Sequence, residues 1–332
     1  MKYDLLSLGS GVVDKILCVD DEFLTKMNLP KGGTRNYLNV DHEELIEASS
    51  SKNVLPISGG SAANATKVVA GLGMQCAYIA KIGNDKWGDF YRKNCIERNI
   101  DPLFSVSEDL PTGAILSLVT PDAERTMCSD LRACQSIDSA DIKKKYFRHS
   151  RLFHLDGYNF YYENAMKTAL EAAIEHNCPI SLDCCSHEII RSHFDTIMQY
   201  LESKTFHLFF ANEREAFELT GRSNPTEACQ QLSKFCNYAT VMMGEKGSVT
   251  IHKEKLYYEH TDPIKPLDTT GAGDMYVGGF LYAYLSGLSV EECMFYGKTT
   301  AAAGIQVFGG ELPTQDLQRL KKFLTSLELV KN

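Results

Sequence analysis

A run of small residues leads directly into a helical pattern towards the end of the chain. The run is Asp268-Thr269-Thr270-Gly271-Ala272-Gly273-Asp274, and apolar residues recur at helical spacing in the MYVGGFLYAYLSG that follows. Its glycines allow the backbone to approach another molecule closely. Because the first turn of a helix leaves N–H groups unpaired at the positive end of the helix dipole, the run predicts a binding site for an anion.

Asp274 places a carboxylate in the first turn of this predicted helix, beside a site suited to negative charge. It either complements the helix dipole or works with a bound phosphate. In the second case Asp274 would take a proton from a hydroxyl that attacks the phosphoryl group.

A second glycine turn, Gly59-Gly60-Ser61-Ala62-Ala63-Asn64, opens another helical pattern. Small residues there allow a ligand to reach the backbone, and Asn64 offers a donor and an acceptor to sugar hydroxyls. A plain glycine turn with a helix cap is equally compatible with these residues. Asp14, near the end of the first apolar run, is a candidate bidentate acceptor for a vicinal diol.

Two further motifs follow apolar runs. Asn212 and Glu215 are three residues apart and share a helical face, so they are candidates to hold a hydrated Mg²⁺. The same pair also fits a capping box, in which each residue caps the other's backbone. Gly244 and Gly247 are candidates to line a nucleotide phosphate, although the Walker A spacing is absent from the chain.

Short apolar runs alternate with amphipathic stretches along most of the chain. The runs predict strands at residues 4–9, 76–83, 151–157, 180–185, 208–213 and 239–244. The stretches predict helices at residues 61–72, 86–98, 161–176, 188–202, 213–220, 226–236, 274–287, 290–304 and 314–328. This alternation predicts a mainly parallel sheet with helices on both faces, and ligands collect at the carboxyl ends of the strands of such sheets.

Two segments interrupt the alternation. Residues 15–56 and about 101–130 are mixed in polarity and contain turn signals such as LPKGG and LPTG. We expect them to form a small accessory sheet of antiparallel strands, a lid over one end of the core. The core would then consist of residues 1–14, 57–100 and 131–332.

The composition argues against several classes of protein. The 332 residues are 44% hydrophobic and 23% charged, which is ordinary for a globular protein, and a net charge of −9 argues against general nucleic-acid binding. We see neither a signal peptide nor an apolar run of about 20 residues that would span a membrane. Eleven cysteines without a C-x-x-C spacing predict reduced thiols in a cytoplasmic protein rather than disulfides or a zinc site.

The order of these motifs resembles one known family. GGSAAN with the downstream KIGNDKWG, then NERE, then DTTGAGD, is similar to the signatures of the ribokinase (PfkB) family of carbohydrate and nucleoside kinases. The likeness covers essentially the whole chain. Three further segments are most similar to the adenosine kinase-like branch: DEFLTKMNL, HEELIEA and LVTPDAERTM.

The resemblance implies a ribokinase-like three-layer α/β/α core with a β-sheet lid, and an ATP- and Mg²⁺-dependent phosphotransferase. Asp274 would be the catalytic base, and Gly271, Ala272 and Gly273 would form the anion hole for the transferring phosphoryl group. The remaining roles implied by the family are acceptor binding by Asp14, Gly59, Gly60 and Asn64, nucleobase stacking by Tyr158 or Phe160, Mg²⁺ and its water shell at Asn212 and Glu215, the ATP side at Gly244 and Gly247, and a monovalent cation such as K⁺ at Asp268 and Thr270.

One position departs from that branch. Arg132 stands in Leu131-Arg132-Ala133, where many adenosine kinase-like members have Leu-Gly-Ala. Near the substrate it would contact an acidic or phosphorylated acceptor; alternatively it lies in solvent at the hinge of the lid.

The sequence therefore predicts a kinase that acts on a primary hydroxyl of a small polyol. Its partners would be that small molecule and ATP, and the chain would be a monomer or a homodimer. A nucleoside such as adenosine is the first choice of acceptor, and a sugar or sugar acid is the second. A non-catalytic sensor of nucleotides or sugars is the rival from another class, but a sensor has no need of the base at Asp274.

Overall fold

The computed structural model describes residues 2–31, 33–36, 42–48, 55–122, 125–307 and 309–331. Residues 32, 37–41, 49–54 and 123–124, which belong to the predicted lid segments, lie outside the described residues. The described residues form two sheets, one of nine strands and one of five. None of their helices is both long and apolar enough to span a membrane.

The strands, in chain order, are β1 (Tyr3–Leu8), β2 (Val12–Cys18), β3 (Gly33–Asn36), β4 (Leu55–Ser58), β5 (Cys76–Gly83), β6 (Ile100–Ser107), β7 (Gly113–Val119), β8 (Arg125–Asp130), β9 (Ser150–Asp156), β10 (Ile180–Asp183), β11 (Leu208–Asn212), β12 (Tyr238–Met242), β13 (Ser248–His252) and β14 (Lys255–Glu259). The large sheet has the order β14-β13-β12-β11-β10-β9-β1-β5-β6, and the small sheet has the order β3-β8-β7-β2-β4.

The helices, in chain order, are α1 (Asp21–Lys26), α2 (His42–Ala48), α3 (Ser61–Gly71), α4 (Lys86–Glu97), α5 (Arg132–Gln135), α6 (Glu163–Glu175), α7 (His187–Ser192), α8 (Phe194–Glu202), α9 (Glu213–Thr220), α10 (Pro225–Leu232), α11 (Ala272–Leu285), α12 (Val290–Gly304) and α13 (Thr314–Lys331). Apart from α1 and α2, these helices cover both faces of the large sheet, which gives the three-layer α/β/α arrangement predicted from the sequence.

In the large sheet, the seven neighbouring strands β6, β5, β1, β9, β10, β11 and β12 are parallel. At the other edge, β13 pairs antiparallel with β12, and β14 pairs antiparallel with β13. Successive residues along its central strands point to opposite faces. In β5, Cys76, Tyr78 and Ala80 join one hydrophobic core, whereas Ala77 and Ile79 join the other. One core contains α3, α4, α11 and α12, and the other contains α6 to α10. The strand-and-helix alternation thus fixes the carboxyl ends of β9, β10, β11 and β12 along a single edge.

The small sheet packs α1 and α2 on one face through Leu17, Leu24, Leu45 and Leu118. It is mixed rather than antiparallel: β2 pairs with β7 and β3 with β8 in parallel, while β2 with β4 and β7 with β8 are antiparallel. This differs from the expected antiparallel lid because β2 and β3 pair with strands from a distant part of the chain, while only β7 and β8 are consecutive antiparallel neighbours.

Three placements differ in detail from the sequence prediction. Residues 100–107 form β6 at the edge of the large sheet, although residues 101–130 were expected in the lid. The expected helix at residues 188–202 is interrupted at His193, whose backbone is not helical (φ −127°, ψ 24°), so it forms α7 and α8. The hairpin of β13 and β14 was not predicted; its strands are short and β14 is mostly exposed.

Candidate active site

The small-residue turn before α11 ends in a left-handed residue. Gly271 is the N-cap with φ 71°, and the Met275 N–H donates to its carbonyl at 2.9 Å. A Cβ at this position would lie 2.8 Å from Cα of Gly310, so only glycine fits both the dihedral angle and the contact. Ala272 and Gly273 follow in the first turn, partly exposed. The Ala272 N–H donates to the Thr269 carbonyl at 3.2 Å within this turn. The turn as a whole lies at a partly exposed helix N-terminus, which is the kind of position that binds anions.

Asp274 lies in the same turn and is held by α3. Its Oδ1 accepts a hydrogen bond from Ser61 Oγ at 2.6 Å, and its Oδ2 accepts one from Asn64 Nδ2 at 2.9 Å. Burial raises the pKa of the Asp274 carboxyl, while the two hydrogen bonds and the nearby charge of Lys67 oppose that rise. The result is a fixed carboxylate with a raised pKa, which suits a group that accepts a proton.

Asn64 therefore has a contact that the sequence did not predict. The sequence predicts that it binds sugar hydroxyls, and in this structure its amide N–H also donates to Asp274. Ser61 belongs to the same GGSAAN turn but received no role from the sequence. Its hydroxyl also lies 2.9 Å from Cys185 Sγ, so one short helix N-terminus organises the polar groups around Asp274.

Asp156 and Asp183 add two buried carboxyl groups at the ends of β9 and β10, where they are register partners. Asp156 accepts hydrogen bonds at 2.9 Å from the Ala62 N–H and from Asn159 Nδ2. Burial, with the charge of Asp274 adding to it, raises the pKa of Asp156 to about 7. Neither aspartate was singled out from the sequence, although each ends a predicted strand at the edge where ligands collect.

Asp14 lies beside the turn at Gly59 and Gly60. A Cβ at Gly59 would lie 2.6 Å from Asp14 Oδ2, so the carboxyl group packs directly on the backbone of the turn. Gly60 has φ 102°, and a Cβ there would lie 2.7 Å from the carbonyl oxygen of Ser10. The structure thus brings Asp14 next to the turn that also supplies Ser61.

Asn212 and Glu215 form the capping box that was one of their two interpretations. The Asn212 N–H donates to Glu215 Oε2 at 2.8 Å, Asn212 Nδ2 donates to Oε1 at 2.7 Å, and the Glu215 N–H donates to Asn212 Oδ1 at 2.9 Å. Glu215 is 2% exposed, and burial together with the charges of Asp274 and Glu188 raises its pKa to about 7.

This capping box is compatible with a hydrated Mg²⁺. Each carboxylate oxygen of Glu215 has a second lone pair, and a cation nearby would offset the energetic cost of burying this charge. The side chain of Asn212 is occupied at both ends by Glu215, so Glu215 is the better candidate of the two to hold the water shell.

Gly244 and Gly247 bracket a 3-10 turn at the end of β12, on the same edge of the sheet. Gly244 (φ 58°) faces open space, as a residue beside a nucleotide would. Gly247 (φ 101°) has a structural reason to be glycine, because a Cβ there would collide with the Glu259 carbonyl oxygen.

Asp268 stabilises the loop that leads to α11. Its Oδ1 accepts from the Thr270 N–H at 2.9 Å, and its Oδ2 accepts from the Gly309 N–H at 2.8 Å. The Leu267 N–H donates to the Ile305 carbonyl at 2.8 Å. Asp268 and Thr270 therefore lie together, as the expected monovalent-cation site requires, and their contacts also explain the shape of the loop.

The two aromatic residues that were candidates to stack on a nucleobase have different surroundings. Phe160 is 4% exposed and packs against the rings of His193 and Tyr200, so it belongs to the core and has no free face for a nucleobase. The turn after β9 directs the Phe160 ring into the core, so of the two candidates Tyr158 is the one with an accessible side chain. Tyr158 is 40% exposed as a residue. The pKa of its hydroxyl is raised by burial and by the neighbouring Cys185 and Asp156.

Arg132 pairs with Asp130. Its Nε donates to Asp130 Oδ2, and its side chain is about one-third exposed, at 32%. Arg132 has φ 39° and begins the short helix α5 directly after β8. Because its charge already has a carboxylate partner, the arginine does not by itself call for an acidic acceptor.

Lys67 lies next to Asn64 and close to Asp274, and it was not singled out from the sequence. This 2% exposed residue donates from Nζ to Glu311 Oε2 at 2.7 Å and to Asn64 Oδ1 at 3.3 Å. Arg98 also donates to Glu311. The amide that holds Asp274 is therefore itself positioned by a buried ion pair with the C-terminal part of the chain.

Comparison with known proteins agrees with this arrangement. A family model described as pfkB family carbohydrate kinase matches residues 35–317. The chain is 29% identical to mouse ribokinase, over 76% of this chain and 79% of that protein, and 25% identical to the adenosine kinase of Saccharomyces cerevisiae, over 97% and 100%. It resembles the crystal structure of adenosine kinase from Sinorhizobium meliloti at 28% identity and a TM-score of 0.87, covering 97% of this chain and 100% of that one. The probable sugar kinase from Rhizobium etli is similar at 27% identity and a TM-score of 0.87, covering 97% and 99%. With its three-layer fold and a carboxylate fixed in the first turn of α11, and with the family model matching residues 35–317, this chain belongs to the pfkB family of carbohydrate kinases.

Proposed function

We propose that this kinase transfers the γ-phosphoryl group of ATP to a primary hydroxyl of a nucleoside, with the 5′-hydroxyl of adenosine as the first candidate. One observation carries the proposal: the Asp274 carboxylate is fixed by Ser61 and Asn64 in the first turn of α11, at a partly exposed helix N-terminus. A base and an anion hole in one turn are the two groups that phosphoryl transfer to an alcohol requires.

In this mechanism Asp274 accepts the proton of the acceptor hydroxyl. The hydroxyl oxygen then forms a bond to the γ-phosphorus, and the bond from that phosphorus to the bridging oxygen breaks, so that ADP leaves. The N–H groups of residues 271–273 stabilise charge on the equatorial oxygens of the transferring group.

Glu215 would hold Mg²⁺ through its water shell, and the ion would supply further charge stabilisation to the phosphates. Gly244 would lie on the ATP side. Asp268 and Thr270 would hold a monovalent cation such as K⁺ next to the anion hole.

Asp14, Gly59 and Gly60 would bind the acceptor hydroxyls, and Tyr158 would contact the nucleobase of the acceptor. Asn64 would position Asp274 and, through its remaining amide hydrogen, contact the acceptor. The small sheet would close over this site as a lid and exclude water, which limits hydrolysis of ATP.

A sugar or sugar acid is the second candidate for the acceptor. The likeness to mouse ribokinase and to the probable sugar kinase from Rhizobium etli favours it. The likeness to the adenosine kinases of Saccharomyces cerevisiae and Sinorhizobium meliloti, each over 97% of this chain, supports the nucleoside.

A screen of ADP release tests the proposal directly. Nucleosides, pentoses, hexoses and sugar acids would each be supplied with MgATP, with and without K⁺. We expect turnover with adenosine or another nucleoside, and a higher rate with K⁺. Turnover only with sugars would show that the acceptor is a sugar and not a nucleoside. No turnover with any compound would favour a non-catalytic sensor.

A further inference from the structure

Three potential metal ligands of different chemistry meet beside the proposed base. Asp183, Cys185 and Asp274 each offer one ligand atom, and these atoms all lie within 4.8 Å of one another. Among the described residues, no other group of three His, Cys, Asp or Glu side chains has this spacing. The three residues come from the end of β10, the turn after it and the first turn of α11, so the fold itself assembles the cluster.

Asp183 is the member that points to a ligand. It is 3% exposed, and its Oδ1 is buried without a hydrogen-bond partner among the described residues. A buried carboxylate oxygen without a partner is energetically costly, and a cation at this point would compensate for it.

Cys185 determines which cations fit. Its Sγ lies 2.9 Å from Ser61 Oγ, and its thiol donates to the Asp183 carbonyl oxygen at 3.5 Å. Cys185 is partly exposed as a residue, in contrast to the buried Cys184. A thiolate selects Zn²⁺ over the harder Mg²⁺.

We propose that Asp183, Cys185 and Asp274 form an inhibitory site for a thiophilic divalent cation such as Zn²⁺. On binding, the S–H bond of Cys185 breaks, the proton leaves to the solvent and the sulfur coordinates the ion, with no change of oxidation state. Tetrahedral coordination with Zn–S of about 2.3 Å and Zn–O of about 2.1 Å needs ligand separations of about 3.5 Å. The ligand atoms, which lie within 4.8 Å of one another, would therefore move closer together by at most about 1.3 Å.

An ion bound there would coordinate the carboxylate of Asp274, which in the proposed mechanism must accept the proton of the acceptor hydroxyl. Inhibition by Zn²⁺, which rests on the proposed function, should therefore be relieved by higher concentrations of acceptor. Binding of the ion does not depend on that function and is tested separately.

The binding test uses the full chain, freed of metal and kept reduced, with Zn²⁺ alone and neither ATP, acceptor nor Mg²⁺. Calorimetry should give one tight site per chain in the wild type. Cys185→Ser should weaken it by more than about 100-fold, since even the loss of an outer-shell partner of a metal ligand costs 10–100-fold. Cys18→Ser, at an exposed cysteine remote in sequence, is the matched control and should bind as the wild type does.

Cys185→Gly provides a second variant in case the serine disturbs the turn, because Cys185 has φ 61°, which glycine adopts without strain. With Cd²⁺ as the probe, thiolate coordination gives an ultraviolet absorption band. The band should persist in Cys18→Ser and disappear in both Cys185 variants. Wild-type Zn²⁺ affinity in the Cys185 variants, or displacement of Zn²⁺ by millimolar Mg²⁺, would overturn the proposal.

Discussion

Replacing Lys67 by Met should lower both the stability of the protein and, because Asp274 is the proposed base, kcat/KM at neutral pH. Lys67 is 2% exposed and forms a buried ion pair with Glu311, which also pairs with Arg98. Removal of one partner of a buried ion pair costs about 3–5 kcal/mol. Because Glu311 keeps Arg98, we expect about 3 kcal/mol, the low end of this range.

This free energy converts into a shift of the melting temperature. An unfolding entropy of about 2.1 cal/mol/K per residue gives about 0.7 kcal/mol/K for a chain of 332 residues. Lys67→Met should therefore lower Tm by about 4 °C. Glu311→Gln leaves two buried cations without their anion, so the loss should be larger, about 5 kcal/mol or 7 °C.

The pH dependence separates a positioning role from a purely structural one. The charge of Lys67 lowers the pKa of Asp274, and the base must be ionised to accept a proton. Without that charge the pKa of Asp274 rises, so the acid limb of the kcat/KM profile should move to higher pH. Lys67→Arg keeps the charge and should leave the limb near its original position.

Calorimetric melting and a pH profile of kcat/KM for the acceptor provide both measurements. Lys144→Met is a matched control, because its ion pair with Glu175 lies at the surface and should contribute nothing measurable to Tm. A Tm of Lys67→Met within about 1 °C of the wild type, together with an unmoved acid limb, would refute the reasoning.

Three further predictions concern the same site. Ser61→Ala removes a hydrogen bond to the ionised Asp274, so kcat/KM at neutral pH should fall by roughly 10- to 100-fold with the acid limb moved upward; an unchanged profile would contradict the contact. Gly271→Ala forces a Cβ against Gly310 at φ 71° and should cost about 1–3 kcal/mol and reduce kcat, so a variant with wild-type Tm and kcat would be inconsistent with the turn. Arg132→Ala should change KM for a neutral nucleoside by no more than about twofold, whereas a large increase would indicate an anionic acceptor.

Much of the fold follows from local sequence patterns. The strand at residues 76–83 and the helices at 213–220 and 290–304 match the structure to the residue, because each combines a clear apolar period with a cap or a glycine. The break at His193 carries no glycine or proline, so periodicity alone extended one helix across it.

The position of Asp274 in the first turn of a helix was predictable, whereas its surroundings were only partly so. Asp274 stands in a turn whose residue types already indicate an anion site. Its partner Ser61 is 213 residues away, and the partner of Lys67, Glu311, is 244 residues away. Such pairs depend on how α3 packs against α11 and the C-terminal segment, which no local pattern encodes.

The inward position of Phe160 has the same kind of cause. Its ring and that of Tyr158 are two residues apart, and the sequence offers both to a ligand. The 3-10 turn after β9 directs Phe160 into the core and leaves Tyr158 at the surface.

The central claim is that Asp274 accepts the proton of the acceptor hydroxyl, and Asp274→Asn tests it most directly. The measurement pairs phosphoryl transfer to the best acceptor, followed as ADP release, with calorimetric binding of ATP to the same variant. Because general base catalysis contributes about 10²–10⁴-fold, transfer should fall at least that far while ATP affinity stays near that of the wild type. Near-normal turnover in Asp274→Asn would contradict the mechanism.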